Sequence, residues 1–127
     1  SSITAWTPYP TISHYAATKT YLKSFADSLW CELREKGVSV TAVFPSAVDT
    51  PLYNLDADTR LWLRHYGLML SAEDVARKAL RAMHRGRRRC LPGFLTKVEA
   101  ALCYLLPTWI VLPIMKIPAV RRILEKI

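Results

Sequence analysis

At 127 residues the chain has room for one domain, and 51% of it is apolar. The net charge of +8 is confined to residues 72–127, with twelve basic and four acidic side chains, whereas residues 1–71 hold six of each. The basic cluster has no interleaved aromatics and no recognised nucleic-acid module, which excludes nucleic acid as the partner. Cys31, Cys90 and Cys103 are odd in number and at no metal-ligand spacing, so neither a disulfide scaffold nor a metal centre is indicated.

Taken in chain order, Ser1 and Ser2 open the sequence and residues 3–12 follow with Thr7, Pro8, Pro10 and Thr11, the composition of a loop. A helix is predicted from about Ser13 to Lys36, closed by Gly37 as its C-terminal cap. Phe25, Leu29 and Leu33 recur every four residues as a core stripe, and Cys31 reads as a small buried hydrophobe. Tyr15 and Lys19, also four apart, share a helix face. A free tyrosine has a pKa of about 10. A neighbouring ammonium favours the phenolate, which suits a general acid/base at a carbonyl. Taken alone, the pair also fits two ordinary helix residues, one half-buried and one solvated.

Val38–Phe44 is apolar and β-branched at most positions, as a buried parallel strand should be, and Pro45 ends it. The loop Pro45–Thr50 then lies beyond the carboxyl end of that strand, where open α/β sheets bind ligands. Residues 51–70 mix Leu52, Tyr53, Leu55, Leu61, Trp62, Leu63 and Tyr66 with charges; singly they fit a surface helix with an apolar face, and as a group they suggest a greasy substrate. Ser71-Ala-Glu-Asp74 has the form of a capping box before Val75, Ala76, Ala79, Leu80 and Met83, and Gly86 stops that helix. Arg87 to Gly93 gives a basic turn and a short strand. Two clear strand signals are too few for an independent parallel sheet covered on both faces.

Residues 94–127 form a basic, apolar tail. Ala100 to Met115 carries no charge, is broken by Pro107 and Pro113, and is short of the about 20 apolar residues that a spanning helix needs. Arg87, Arg88, Arg89 and Lys97 flank it on one side, and Lys116, Arg121, Arg122 and Lys126 on the other. Such a segment suits peripheral contact with an anionic membrane interface. Packing over another part of the protein or a partner, and a spanning or re-entrant segment, are the other readings. Reduced thiols and a cytoplasmic location, peripheral on the cytosolic face of a membrane, are expected.

Ser2, thirteen residues before Tyr15-Ala-Ala-Thr-Lys19, the strand Gly37–Phe44 and the loop Pro45-Ser-Ala-Val-Asp-Thr50 resemble, in order and spacing, the short-chain dehydrogenase/reductase family over about residues 1–93. The resemblance implies an α/β fold, here the C-terminal part of a Rossmann-type, doubly wound parallel sheet, helix-rich and followed by the apolar helical tail 94–127. It implies an oxidoreductase that interconverts a ketone and a secondary alcohol with NAD or NADP, NADPH being the more usual partner of a reductase. Ser2 would stabilise the substrate oxygen, Tyr15 would exchange its proton, and Lys19 would hold the nicotinamide ribose. Pro45, Ser46, Val48 and Thr50 would bind the carboxamide end of the cofactor. Tyr53, Leu61, Trp62 and Tyr66 would form the lid over a small hydrophobic substrate of 3-oxoacyl, sterol-like or sphingoid type. The 13–36 helix would carry a homo-oligomer contact.

The family's Gly-x-x-x-Gly-x-Gly turn has no counterpart among Gly37, Gly67, Gly86 and Gly93, and Asn54, the only asparagine, lies far from the family's catalytic asparagine. Ser46 stands where the family usually has glycine. The chain therefore reads as the C-terminal half of a longer dehydrogenase, inactive alone. The alternative is a non-catalytic membrane- or partner-binding protein built on a dehydrogenase remnant.

Overall fold

A computed structural model describes residues 1–6, 12–51, 55–105, 109, 110 and 113. Tyr53 and Leu52 of the expected lid, the loop residues Thr7 to Thr11, Asn54, and the flanking cations Lys116, Arg121, Arg122 and Lys126 lie outside the described residues, as does the side chain of Cys103.

A 3₁₀ turn, Ile3–Trp6, leads towards helix α1, Ser13–Arg34. The helix stops two residues before the expected Lys36 because its last turn unwinds into a glycine cap. Gly37 adopts φ 73°, its N–H bonds to the Arg34 carbonyl at 3.1 Å, and the Val38 N–H reaches back to Leu33 at 3.2 Å. This paired closure satisfies two terminal carbonyls and needs the left-handed conformation that glycine adopts without strain.

Strand β1, Ala42–Val43, is shorter than the expected Val38–Phe44 run. It pairs in parallel with β4, Arg89–Cys90, matching Ala42 to Arg89 and Val43 to Cys90. Val38 is exposed, since the ladder with β4 begins only at the Ala42 N–H, which bonds to the Arg88 carbonyl at 2.9 Å. A second parallel pair, absent from the sequence reading, joins β2, Ala47–Asp49, to β3, Met69–Ser71. The two pairs are separate two-stranded sheets among the described residues.

Adjacent side chains on β4 show where the helices lie. Arg89 reaches Asp27 on α1, while the Cys90 Sγ lies 3.6 Å from the Lys78 carbonyl on α3, Ala72–His84. Successive strand residues point to opposite faces, so α1 and α3 cover opposite faces of the β1–β4 pair. Parallel strands sandwiched between helices are the Rossmann-type arrangement, here helix-rich and with short strands.

Local chemistry sets the remaining boundaries. Helix α2, Ala57–His65, begins at Asp56, whose carboxylate accepts the Thr59 N–H at 2.9 Å. The expected cap of α3 is present: the Ser71 hydroxyl oxygen accepts the Asp74 N–H at 3.1 Å. Helix α4, Phe94–Leu105, follows β4 and buries Thr96 and Ala100. No helix among the described residues is long and apolar enough to cross a membrane.

Phe44 is fully buried at the end of β1, with Ile3, Ala5, Ala16, Leu63, Met69 and Ala82 also in the core. Two expectations fail here. Phe25 is exposed and stacks on Tyr21 at 5.9 Å, with Leu29 and Leu33 only half-buried, because few described side chains cover that face of α1. Cys31 is likewise exposed rather than buried, whereas Cys90 is buried; both are unpaired thiols.

Candidate active site

Three segments that are distant in sequence meet around the start of α1. The Ile3 N–H bonds to the Pro45 carbonyl at 3.0 Å, tying the serine segment to the end of β1. The Ser1 hydroxyl donates to the Lys19 carbonyl at 3.0 Å, tying the same segment to α1. Ser2 is half-buried, and its hydroxyl oxygen accepts the Thr4 N–H at 3.3 Å, which supports the 3₁₀ turn. Serine segment, helix and loop are thus joined through the main-chain carbonyls of Pro45 and Lys19.

Tyr15 is 47% exposed on α1, and the Lys19 Nζ sits over its ring, 4.9 Å from the centroid. The four-residue spacing puts the two groups one above the other, and the negative face of the ring attracts the ammonium. Ala16, the next residue, is buried and anchors this part of the helix.

The Pro45–Thr50 loop runs from β1 through β2. Val48 lies opposite Leu70 in the β2–β3 ladder, and the Thr50 hydroxyl donates weakly to the Val48 carbonyl at 3.4 Å. Ser46 turns to α4, where its hydroxyl donates to the Glu99 carboxylate at 3.0 Å. Asp49 is clamped to α2 by Arg60 at 2.7 Å and by Arg64 at 3.2 Å. That clamp holds the expected lid helix against the loop. Leu61, Trp62 and Tyr66 all face outward, with the Trp62 and Tyr66 rings 4.9 Å apart, so the apolar side of α2 is open.

The sequence reading missed a support beneath the site. Arg89 on β4 donates through Nε to the Asp27 carboxylate of α1 at 3.1 Å and makes a second bond to it through Nη2; Arg88 adds a contact at 3.4 Å. The Arg89 hydrogen bonds hold the Asp27 carboxyl below its ordinary range, helped by the charges of Arg89, Arg88 and Lys23 and opposed by burial. Arg89 and Lys23 also lie against the Trp6 ring, at 5.1 and 4.9 Å, and Trp6 meets Phe44 edge-on at 5.6 Å. No local signal marks this network, because Asp27 and Arg89 are 62 residues apart.

The family model for short chain dehydrogenase matches residues 1–60, the stretch that carries Ser2, Tyr15, Lys19 and the Pro45–Thr50 loop. Over residues 1–60, just under half of its length, the chain is similar to the short-chain dehydrogenase/reductase family. It is 29% identical over 111 residues to hydroxysteroid dehydrogenase-like protein 1 of Gallus gallus, covering 87% of this chain and 32% of that protein. It is 36% identical over 62 residues to an uncharacterized NAD-dependent oxidoreductase of Mycobacterium tuberculosis, covering 49% of this chain and 22% of that protein. The chain therefore spans about a third or less of the length of these curated relatives. No solved structure matches it significantly.

Proposed function

We propose that the complete protein is a NAD(P)-dependent oxidoreductase that interconverts a ketone and a secondary alcohol on a hydrophobic substrate. The observation that carries this reading is the Lys19 ammonium over the Tyr15 ring, with the serine segment and the Pro45 loop bonded to the same region. The names of the relatives, a hydroxysteroid dehydrogenase-like protein and an NAD-dependent oxidoreductase, point the same way.

The side chains present fit a nicotinamide nucleotide. An ammonium and a phenol at one point suit vicinal ribose hydroxyls, and the Thr50 hydroxyl, with only a weak internal bond at 3.4 Å, suits a carboxamide. When bound, that nucleotide supplies or takes up the hydride. In the reductive direction Tyr15 gives its phenolic proton to the substrate oxygen: the tyrosine O–H bond breaks as the alcohol O–H bond forms. Ser2 donates a hydrogen bond to the same oxygen while charge develops on it. Lys19 stabilises the phenolate that remains. The open apolar side of α2, with Leu61, Trp62 and Tyr66, covers a greasy substrate, and exposed Tyr21, Leu22 and Phe25 on α1 carry contact with a second copy.

The test is Tyr15→Phe in the full-length protein, followed by NAD(P)H oxidation over a panel of hydrophobic ketones. The expected loss in turnover is about 10²–10⁴-fold. Turnover close to that of the unaltered protein would overturn the assignment.

A further inference from the structure

A second concentration of charge lies apart from Tyr15. The C-terminal half of α3, the turn before β4 and the start of α4 enclose an open groove of about 450 Å3. Lys78, Arg81 and Arg85 line it from α3, at spacings of three and four that place them on one face. Arg87 lines it from the turn and Lys97 from α4, and no carboxylate among the described residues lines it. None of these five cations forms an ion pair among the described residues.

Three of the five, Lys78, Arg87 and Lys97, also act on one buried group in the groove wall. Burial pushes the Cys90 thiol up, while Lys97, Arg87 and Lys78 each pull it down, so charges from three separate elements act on one point of the groove wall. Like charges gathered this way repel one another, and an anion with several acceptor oxygens relieves that repulsion.

The rim of the groove is apolar on the α4 side. Phe94 lines the groove and is 78% exposed, and Val98, Leu102 and Leu105 continue from it along the outer face of α4 at spacings of four, four and three. A soluble phosphate compound would neutralise the cations and leave this stripe in water. A polynucleotide would do the same. A lipid answers both features, because cations beside an apolar helical face are the composition of an interfacial segment. Among the described residues no helix is long and apolar enough to cross the bilayer.

We propose that the groove between α3, β4 and α4 receives the phosphate headgroup of an anionic membrane lipid, with the Phe94–Leu105 stripe among the acyl chains. The site is independent of the oxidoreductase chemistry and places the protein on the membrane surface through its basic half.

Co-sedimentation of the full-length protein with vesicles tests this. One set mixes phosphatidylglycerol with phosphatidylcholine and the other is phosphatidylcholine alone. The protein binds the anionic set, and binding falls steeply as salt is added. The double variant Arg81→Gln/Arg85→Gln weakens binding about 30-fold, at roughly fivefold per cation removed, and Arg81→Lys/Arg85→Lys restores most of it. Phe94→Glu also releases the protein from anionic vesicles. Ketone turnover measured without vesicles is unchanged in all three variants, so loss of the lipid site and loss of the enzymatic reading are separate results. Equal binding to both vesicle sets, no binding to either, or undiminished binding by the double glutamine variant would each overturn the proposal. So would full displacement by inorganic phosphate at constant ionic strength, which would mark a site for soluble anions.

Discussion

In residues 1–71, five of the six cations have a partner among the described residues. Lys19 sits over Tyr15, Lys23 over Trp6 and Arg34 over Trp30, while Arg60 and Arg64 hold Asp49. In the described part of residues 72–127 the pattern reverses. Arg77 pairs with Asp74, and Arg88 and Arg89 with Asp27, but Lys78, Arg81, Arg85, Arg87 and Lys97 face a shared groove without a carboxylate. A cation held against a ring or a carboxylate fixes the position of a neighbour, which is what a catalytic site requires. Cations gathered without counter-charge create a field directed at a partner outside the molecule.

The difference can be broken most severely at Lys19. Lys19→Met in the full-length protein is expected to lower kcat about 10²-fold and to raise KM for the nucleotide, and the loss should be smaller than that of Tyr15→Phe. Steady-state kinetics with NADH and NADPH would show it. An unaltered kcat with only KM raised would reduce Lys19 to a binding residue.

Next in size is the link between the halves. Asp27→Asn removes the charge that Arg88 and Arg89 share, and should cost about 1–2 kcal/mol, the lower range for charged hydrogen bonds because water reaches this pair. The pH dependence has a definite sign. The Asp27 carboxyl is held below its ordinary value, so its contribution is complete above about pH 4, where the unfolded group ionises, and is lost as pH falls through the lowered folded value. Urea melts of the two proteins should therefore differ at pH 7 and converge in acid. A gap that persists unchanged in acid would assign the effect to packing.

The smallest effects are local. Gly37→Ala forces a side chain into φ 73° with no atom within 4 Å of the new Cβ, so backbone strain alone is at issue, about 1 kcal/mol. Ser71→Ala removes the cap of α3 and should cost about as much. Thermal melts would detect either change, and neither should alter the pattern of ketone turnover.

Much of the local architecture was legible in the sequence because it depends on neighbours only a few residues apart. The extent of α1 to within two residues, its glycine closure, the Ser71 cap and the shared face of Tyr15 and Lys19 all follow from spacings of at most five residues. The short-range rules failed where burial depended on what lies opposite: Phe25 and Cys31 have the right spacing for a core but are left uncovered. The helix period states which residues share a face, not whether another element packs on it.

The tail shows the same division. Its charge and apolarity were plain from composition, but the sequence alone left membrane contact, packing and spanning open. The structure shows the start of this region as α4, tied to the candidate site through Glu99 and Ser46, 53 residues apart. By itself the sequence determined α1 and α3, the Gly37 and Ser71 caps and the chemical identity of the Tyr15–Lys19 pair, through interactions that close within a turn or two of backbone. Only the tertiary structure decided the β2–β3 pair, the Asp27–Arg89 link and the convergence of five cations on one groove. These rest on contacts between segments whose meeting requires loop closure over tens of residues, and no local propensity specifies that closure.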